Sequence, residues 1–299
     1  VTVAPTGGFL TKRDTPHVPT QPEEIAEDVY RCYNAGASVA ALHARRPDDE
    51  ATCDPEIYRH INRLVRERCD IVVNNSTGGG LNGDLVVRGA QRWESSAGQR
   101  ALGALAGAEM CSFNAMTVLA TVDGREVLMS TSPAEAVELA TTMRDSGVKP
   151  EWEVFSPTHL VQDVTTLIEA GYDEAPHAVN FCFGLDRVFQ GAMPYSPRTL
   201  QYLVDLLPAG SIFTVSGHGA AQLPATTHAL LLGGHIRVGL EDNIRDTDGE
   251  LRDNVHFVEK AVRLIRELGL EPATPAEARQ LLGLTSAPVT TVQNGAHRP

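Results

Sequence analysis

The chain has 299 residues, 42% hydrophobic and 21% charged, which is enough apolar material for a large core and too much for a disordered polymer. Its formal net charge of -13 at pH 7 argues against a general binder of nucleic acid or anionic membrane, because such a surface repels polyphosphate. No apolar run approaches the roughly 20 residues needed to span a bilayer, and the opening VTVAPTGGFLTKRD lacks the basic and apolar regions of a secretion signal. The five cysteines are widely spaced, odd in number and contain no C-x-x-C pair, which favours reduced thiols and a cytoplasmic setting.

The first β-rich run, VTVA from Val1, leads into Thr6-Gly7-Gly8. Thr20 and Glu23, with Pro22 between them, then read as a capping box that starts a helix. The second run, SVAALHA from Ser38, is a strand of small residues that ends in His43 and Arg45. The third, IVVNN from Ile71, runs into Ser76-Thr77-Gly78-Gly79-Gly80, where hydroxyls and unhindered backbone N–H groups suit a carboxylate or phosphate. MCSFN from Met110 delivers Ser112 and Asn114, and a second capping box follows at Ser132 and Glu135. EWEVF offers Glu151 and Glu153, while AVNFCF from Ala178 is mainly apolar; Cys111 and Cys182 in such runs read as small core residues. SIFTVS from Ser211 ends in Ser216-Gly217-His218-Gly219, a second and weaker anion cradle, and HIRVGL from His235 carries Arg237 into Glu241-Asp242-Asn243. A helix from Asn254 stops at Gly269, as a C′ glycine would make it, and a third capping box stands at Thr274 and Glu277.

Eight strands, most followed by a helix, predict a closed (β/α)8 TIM barrel over residues 1–285, with a C-terminal tail over 286–299. Chemistry in such barrels gathers at the C-terminal ends of the strands. Glu241 and Asp242 crowd two carboxylates at one such end, a costly arrangement unless a cation or Arg237 neutralises them. His43 and Glu241, converging across the mouth, have the donor types of a zinc site that polarises a carbonyl.

Taken in order, APTGG, LHAR, NNSTGGG, PEWEVF and GGHIRVGLEDN span nearly the whole chain and resemble the β-keto acid cleavage enzyme family. The resemblance implies a zinc-dependent barrel, homo-oligomeric as a dimer or tetramer. It implies condensation of a β-keto acid with acetyl-CoA, giving acetoacetate and a new acyl-CoA, with no nucleic-acid or membrane partner. In the family pattern a His-x-His pair on the second strand and the glutamate of E-D-N hold the metal. The second histidine corresponds to His43 and the glutamate to Glu241, whereas the first corresponds to Ala41. Two protein ligands bind zinc less tightly than three, so water or a side chain such as His218 completes the site, or the metal is weak or absent.

The resemblance also assigns Asp242 as general base, Arg237 as the group that holds the substrate carboxylate or supports the aspartate, and catalytic parts to Ser76 and Glu153. Substrate contacts fall to Thr6, Gly7, Thr77, Gly78, Gly79, Ser112, Asn114 and Gly217. Phe9 lies near a position where members acting on amino-bearing keto acids can carry an acid, which points to an apolar or neutral substrate here. One alternative is a diverged, metal-free member with lyase, hydrolase or isomerase chemistry. Another is an inactive small-ligand binder, against which retention of Ser76, Arg237, Glu241 and Asp242 argues. Ala41 could also be an engineered replacement.

Overall fold

The computed structural model describes residues 1–284 apart from 81, 90, 91 and 123, so the predicted tail at 286–299 lies outside the described residues. Each of the eight runs becomes a barrel strand. These are β1 (Thr2–Val3), β2 (Val39–Leu42), β3 (Val72–Ser76), β4 (Met110–Phe113), β5 (Lys149–Val154), β6 (His177–Phe183), β7 (Ser211–Gly217) and β8 (His235–Val238). All neighbours are parallel, and β1 closes the ring on β8 through the pairs Thr2 with Arg237 and Val3 with Val238.

The helices form where periodicity and capping coincide. In α1 (Pro22–Ala35), Ile25, Val29 and Cys32 recur on the buried face; in α8 (Asn254–Glu267), Phe257, Val258, Ala261, Val262 and Ile265 do the same. Each large side chain buried in this way contributes about 1.5–3 kcal/mol. The capping boxes at Ser132 and Thr274 form, starting α4 (Pro133–Asp145) and α9 (Pro275–Leu282). The one assigned to Thr20 and Glu23 is displaced by a residue. Pro22 takes the first helical position, so Gln21 becomes the N-cap and Glu24, not Glu23, turns back to accept from the N–H groups of Thr20 and Gln21.

The two ends of the barrel differ. At the N-terminal end α9 lays Ala278 against Val39, Val72, Met110 and Ala178, an apolar plug. Arg279 clamps it by ion pairing with Glu109 at 2.6 Å. The C-terminal end carries a four-stranded accessory sheet that no sequence motif announced, built from Val86–Arg88, Trp93–Ser95, Val118–Val122 and Arg125–Met129. Its segments are excursions from the loops after β3 and β4, too short to stand out by period alone.

Candidate active site

The barrel interior changes character along its axis. Above the apolar plug, Asn74 on β3 donates to Glu151 on β5 at 2.7 Å, a bond over the intervening β4 that ties the two side chains together. Ala41 is paired in register with Asn74 and contributes only a methyl at this level. One turn of pleat higher the strand ends open into a cleft. Its floor is polar: His43, Ser76, Asn114, Glu153, Arg237 and Glu241 line it, with His218 beside them.

Arg237 organises the floor. Its guanidinium grips Asp242 at two points, Nε to Oδ2 at 3.0 Å and Nη2 to Oδ1 at 2.6 Å. It also lies 3.3 Å from Glu241 Oε1 and 3.6 Å from Glu153 Oε1. Burial lowers its pKa, but the three carboxylates outweigh that and push it well above the usual arginine value, so it stays charged. Around Glu241 burial is likewise opposed by Arg237 and His43, and the net shift holds this carboxyl below the ordinary range. Glu153 goes the other way. Desolvation is its largest influence, only partly offset by Arg237, and its pKa rises to about 7.

His43 donates Nδ1–H to the Gly79 carbonyl at 2.8 Å, since a carbonyl can only accept. Its Nε2 therefore faces Glu241 Oε1, 3.4 Å away. Ser76 Oγ accepts from Gly78 N–H at 3.0 Å and from the Ser112 hydroxyl at 3.4 Å. Two buried oxygens of cleft residues, Asn114 Oδ1 and Glu241 Oε2, have no partner among the described residues. Such atoms are costly to leave unpaired and are poised to meet a bound molecule.

Several predicted contacts are placed behind this floor. Asp242, assigned as general base, has a fully enclosed side chain with both oxygens held by Arg237, and His218 Nε2 lies 3.6 Å from Oδ1. Burial raises its pKa, and in this arrangement it braces the Arg237 guanidinium. Thr77 spends its hydroxyl on the Ser112 carbonyl at 2.5 Å, Ser112 supports Ser76, and Thr6 is wholly buried. Gly7 has φ +66°, and a Cβ there would sit 2.8 Å from Glu241 Cγ, so its smallness makes room for the glutamate. Gly217 is needed for packing, because a Cβ would meet the Ala221 carbonyl at 2.6 Å. The predicted second cradle also closes on itself: His218 N–H bonds to Phe183 O and Gly219 N–H to Asp242 O, each at 2.8 Å. Gly78 and Gly79 do line the cleft with Ser76.

The supporting contacts made by Arg45, Tyr58 and Asn254 escaped the sequence reading. Arg45, expected at the site, turns away to bind the carbonyls of Gly7, Leu10 and Asp49, which fixes the turn beside Glu241. Tyr58 on α2 (Pro55–Arg68) donates to the Ser76 carbonyl at 2.9 Å. Asn254 accepts from Leu240 N–H at 2.8 Å and donates to Asp28 at 2.6 Å, pinning the backbone just before Glu241. Local patterning around these residues is that of ordinary helix and loop positions.

The implied zinc can be tested against these donors. His43 Nε2 and Glu241 Oε1 converge, but Ala41 donates nothing and His218 turns to Asp242. Among the described residues no group of three His, Cys, Asp or Glu side chains could hold a metal ion. Catalytic zinc sites use three protein ligands. The residues present fall one donor short of the group.

A family model described as beta-keto acid cleavage enzyme matches residues 1–284. The chain is 33% identical over 287 residues to 3-keto-5-aminohexanoate cleavage enzyme of Acetoanaerobium sticklandii, covering 95% of this chain and 98% of that one. It is 31% identical over 296 residues to 3-dehydrocarnitine:acetyl-CoA trimethylamine transferase of Rhizobium meliloti, covering 95% and 96%. In fold it is similar to the solved apo structure of ObcA, with TM-score 0.71 and 19% identity over 90% of this chain and 66% of that one. A family model and full-length relatives agree with the five ordered motifs, and the chain belongs to the beta-keto acid cleavage enzyme family.

Proposed function

We propose that this enzyme exchanges acyl groups between a β-keto acid and acetyl-CoA: R–CO–CH2–COO⁻ and CH3–CO–SCoA give R–CO–SCoA and acetoacetate. The observation that carries the reading is Glu153, a buried carboxyl raised to about 7 at the floor of the cleft, with the charged Arg237 3.6 Å away. A base for an acidic C–H works best when its pKa lies near the working pH. Glu153, rather than the sequestered Asp242, takes the C2 proton of the keto acid. Arg237, held square by Asp242, receives the substrate carboxylate or the enolate oxygen that forms.

The C2 carbanion attacks the acetyl carbonyl and expels the CoA thiolate. The thiolate then attacks the R–CO carbonyl, the C–C bond to C2 breaks, and the acetoacetate enolate recovers its proton from Glu153. Ser76 and Asn114 are the polar groups left to meet the developing oxyanions, with His218 able to move a proton at the thiolate. The zinc that the resemblance implies would find His43 and Glu241 as donors and a methyl at Ala41; no step above depends on it.

The names of the relatives support acetyl-CoA as the second substrate. We further infer that residues 1–285 act as one barrel domain followed by a tail. We place the protein in the cytoplasm, in keeping with five unpaired cysteines. No helix among the described residues is long and apolar enough to cross a membrane. A homo-oligomer, dimer or tetramer, is what the family resemblance implies. The test is direct: incubation with acetyl-CoA and a panel of β-keto acids, with acyl-CoA and acetoacetate followed by mass spectrometry. Equimolar appearance of both products, lost in Glu153→Gln, is expected; keto acid consumption without acyl-CoA would overturn the proposal.

A further inference from the structure

We propose that the tail R of the β-keto acid is uncharged and apolar, and that it is selected by a rigid wall over β4 to β6. This deepens, and rests on, the reaction class proposed above. The wall consists of Val118, Met129, Phe155, Leu185 and Phe189, all lining the same cleft as Arg237 and Glu153, with Phe9 on the opposite lip. The charged side chains and the imidazoles of the cleft, His43, Glu153, His218, Arg237 and Glu241, belong to the floor, and the Cys182 thiol there is neutral because burial raises its pKa. Among the described residues the wall contributes neither a carboxylate to meet an ammonium nor a cation to meet a second carboxylate. A charged tail laid against it would lose its hydration with no partner in return.

The wall is held in place before any substrate arrives. Val118 and Met129 face each other in the accessory hairpin. The loop after β6 is stitched to that hairpin by Thr121 N–H to Val188 O at 2.8 Å and Gln190 N–H to Leu119 O at 2.9 Å, and to β5 by Met193 N–H to Phe155 O at 2.8 Å. An aromatic box for a quaternary ammonium would need ring faces turned to the cation. Phe155 and Phe189 instead meet edge to face, with centroids 5.3 Å apart and an angle of 82°, so one of the two faces is already covered by the other ring's edge. The two relatives described above are named for substrates with cationic nitrogen in the tail. This wall argues for a different substrate class.

A pair of isosteres tests the idea: 5,5-dimethyl-3-oxohexanoate and 3-dehydrocarnitine differ only in a tail carbon exchanged for a positively charged nitrogen. Binding of each is measured by calorimetry without CoA, and acyl-CoA formation is then measured with acetyl-CoA; 3-oxoadipate serves as the anionic member. The neutral acid should bind at least about tenfold tighter than either charged one. Phe9 is 44% exposed, so a carboxylate there remains hydrated and the fold tolerates it. Phe9→Glu should raise the relative affinity for 3-dehydrocarnitine about tenfold, while Phe9→Gln should not. Equal or tighter binding of either charged acid by the unmodified protein overturns the proposal, as does absence of binding by all three. Neutral preference in calorimetry without acyl-CoA formation supports the tail assignment and rejects the reaction class, so the two fail separately.

Discussion

The floor and the wall of the cleft are built from the same barrel and follow opposite rules. On the floor, three carboxylates surround one arginine in a buried volume, and the chemistry depends on which of them remains easily protonated. On the wall, five apolar side chains from three loops meet with no ionisable group among them. Strand ends supply precise direction for polar groups, whereas loops tied to one another supply shape. Reaction and substrate choice can therefore vary independently, and variants should divide along the same line: floor changes move kcat and the pH profile, wall changes move KM and tail preference.

The largest effect is expected from Arg237→Ala. It leaves Glu153, Glu241 and Asp242 without their shared cation, and loss of one partner from a buried pair costs about 3–5 kcal/mol. Denaturant unfolding at pH 7 should show that loss, and kcat should fall by about a hundredfold or more. Retention of activity would remove the floor from the mechanism.

Glu153→Gln comes next, with a fall in kcat of about 10²–10⁴. In the unmodified protein the rate should rise with pH through about 7, because the base must be ionised, and that limb should vanish in the variant. Stability moves in the opposite sense. A carboxyl raised from 4.5 to about 7 favours the protonated native state, so its penalty is absent below pH 4.5, grows as pH rises and is complete above about 7. Glu153→Gln should therefore be more stable than the parent at pH 8, by up to about 3 kcal/mol, with the gain shrinking towards pH 5. A variant equally destabilised at both pH values would contradict the burial account.

Asn254→Ala probes how the floor is held from outside. It strips the Leu240 N–H of its acceptor and Asp28 of a donor, and should cost about 1–3 kcal/mol in unfolding experiments. The smallest effect belongs to the wall: Phe155→Leu should cost about 1 kcal/mol in stability and raise KM for the neutral acid, leaving the pH limb near 7 unchanged. A displaced limb would show that wall and floor are coupled after all.

Sequence reading recovered the eight strands because each is a short apolar run with turn residues behind it, and Arg237, Glu153, Ser76 and His43 meet in one cleft because a barrel strand delivers its last residues to one place. It could not tell that Asp242, Thr77 and Gly217 stand behind the cleft lining, since position at a strand end does not say whether a side chain turns into the cleft or behind it. The accessory sheet escaped altogether. Its strands are three to five residues long and pair across the gap between the loops after β3 and β4, a long-range matter.

By itself, then, the sequence determined the barrel, the end at which chemistry collects and the loss of a donor at Ala41, because period, capping and residue identity are local properties. Only the tertiary structure decided which carboxylates face the cleft and which apolar side chains line it. Both depend on burial and on neighbours brought from distant strands: Glu153 is shifted because Arg237 compensates only part of its desolvation, and Phe189 reaches Phe155 only after the β6 loop has been stitched to the hairpin.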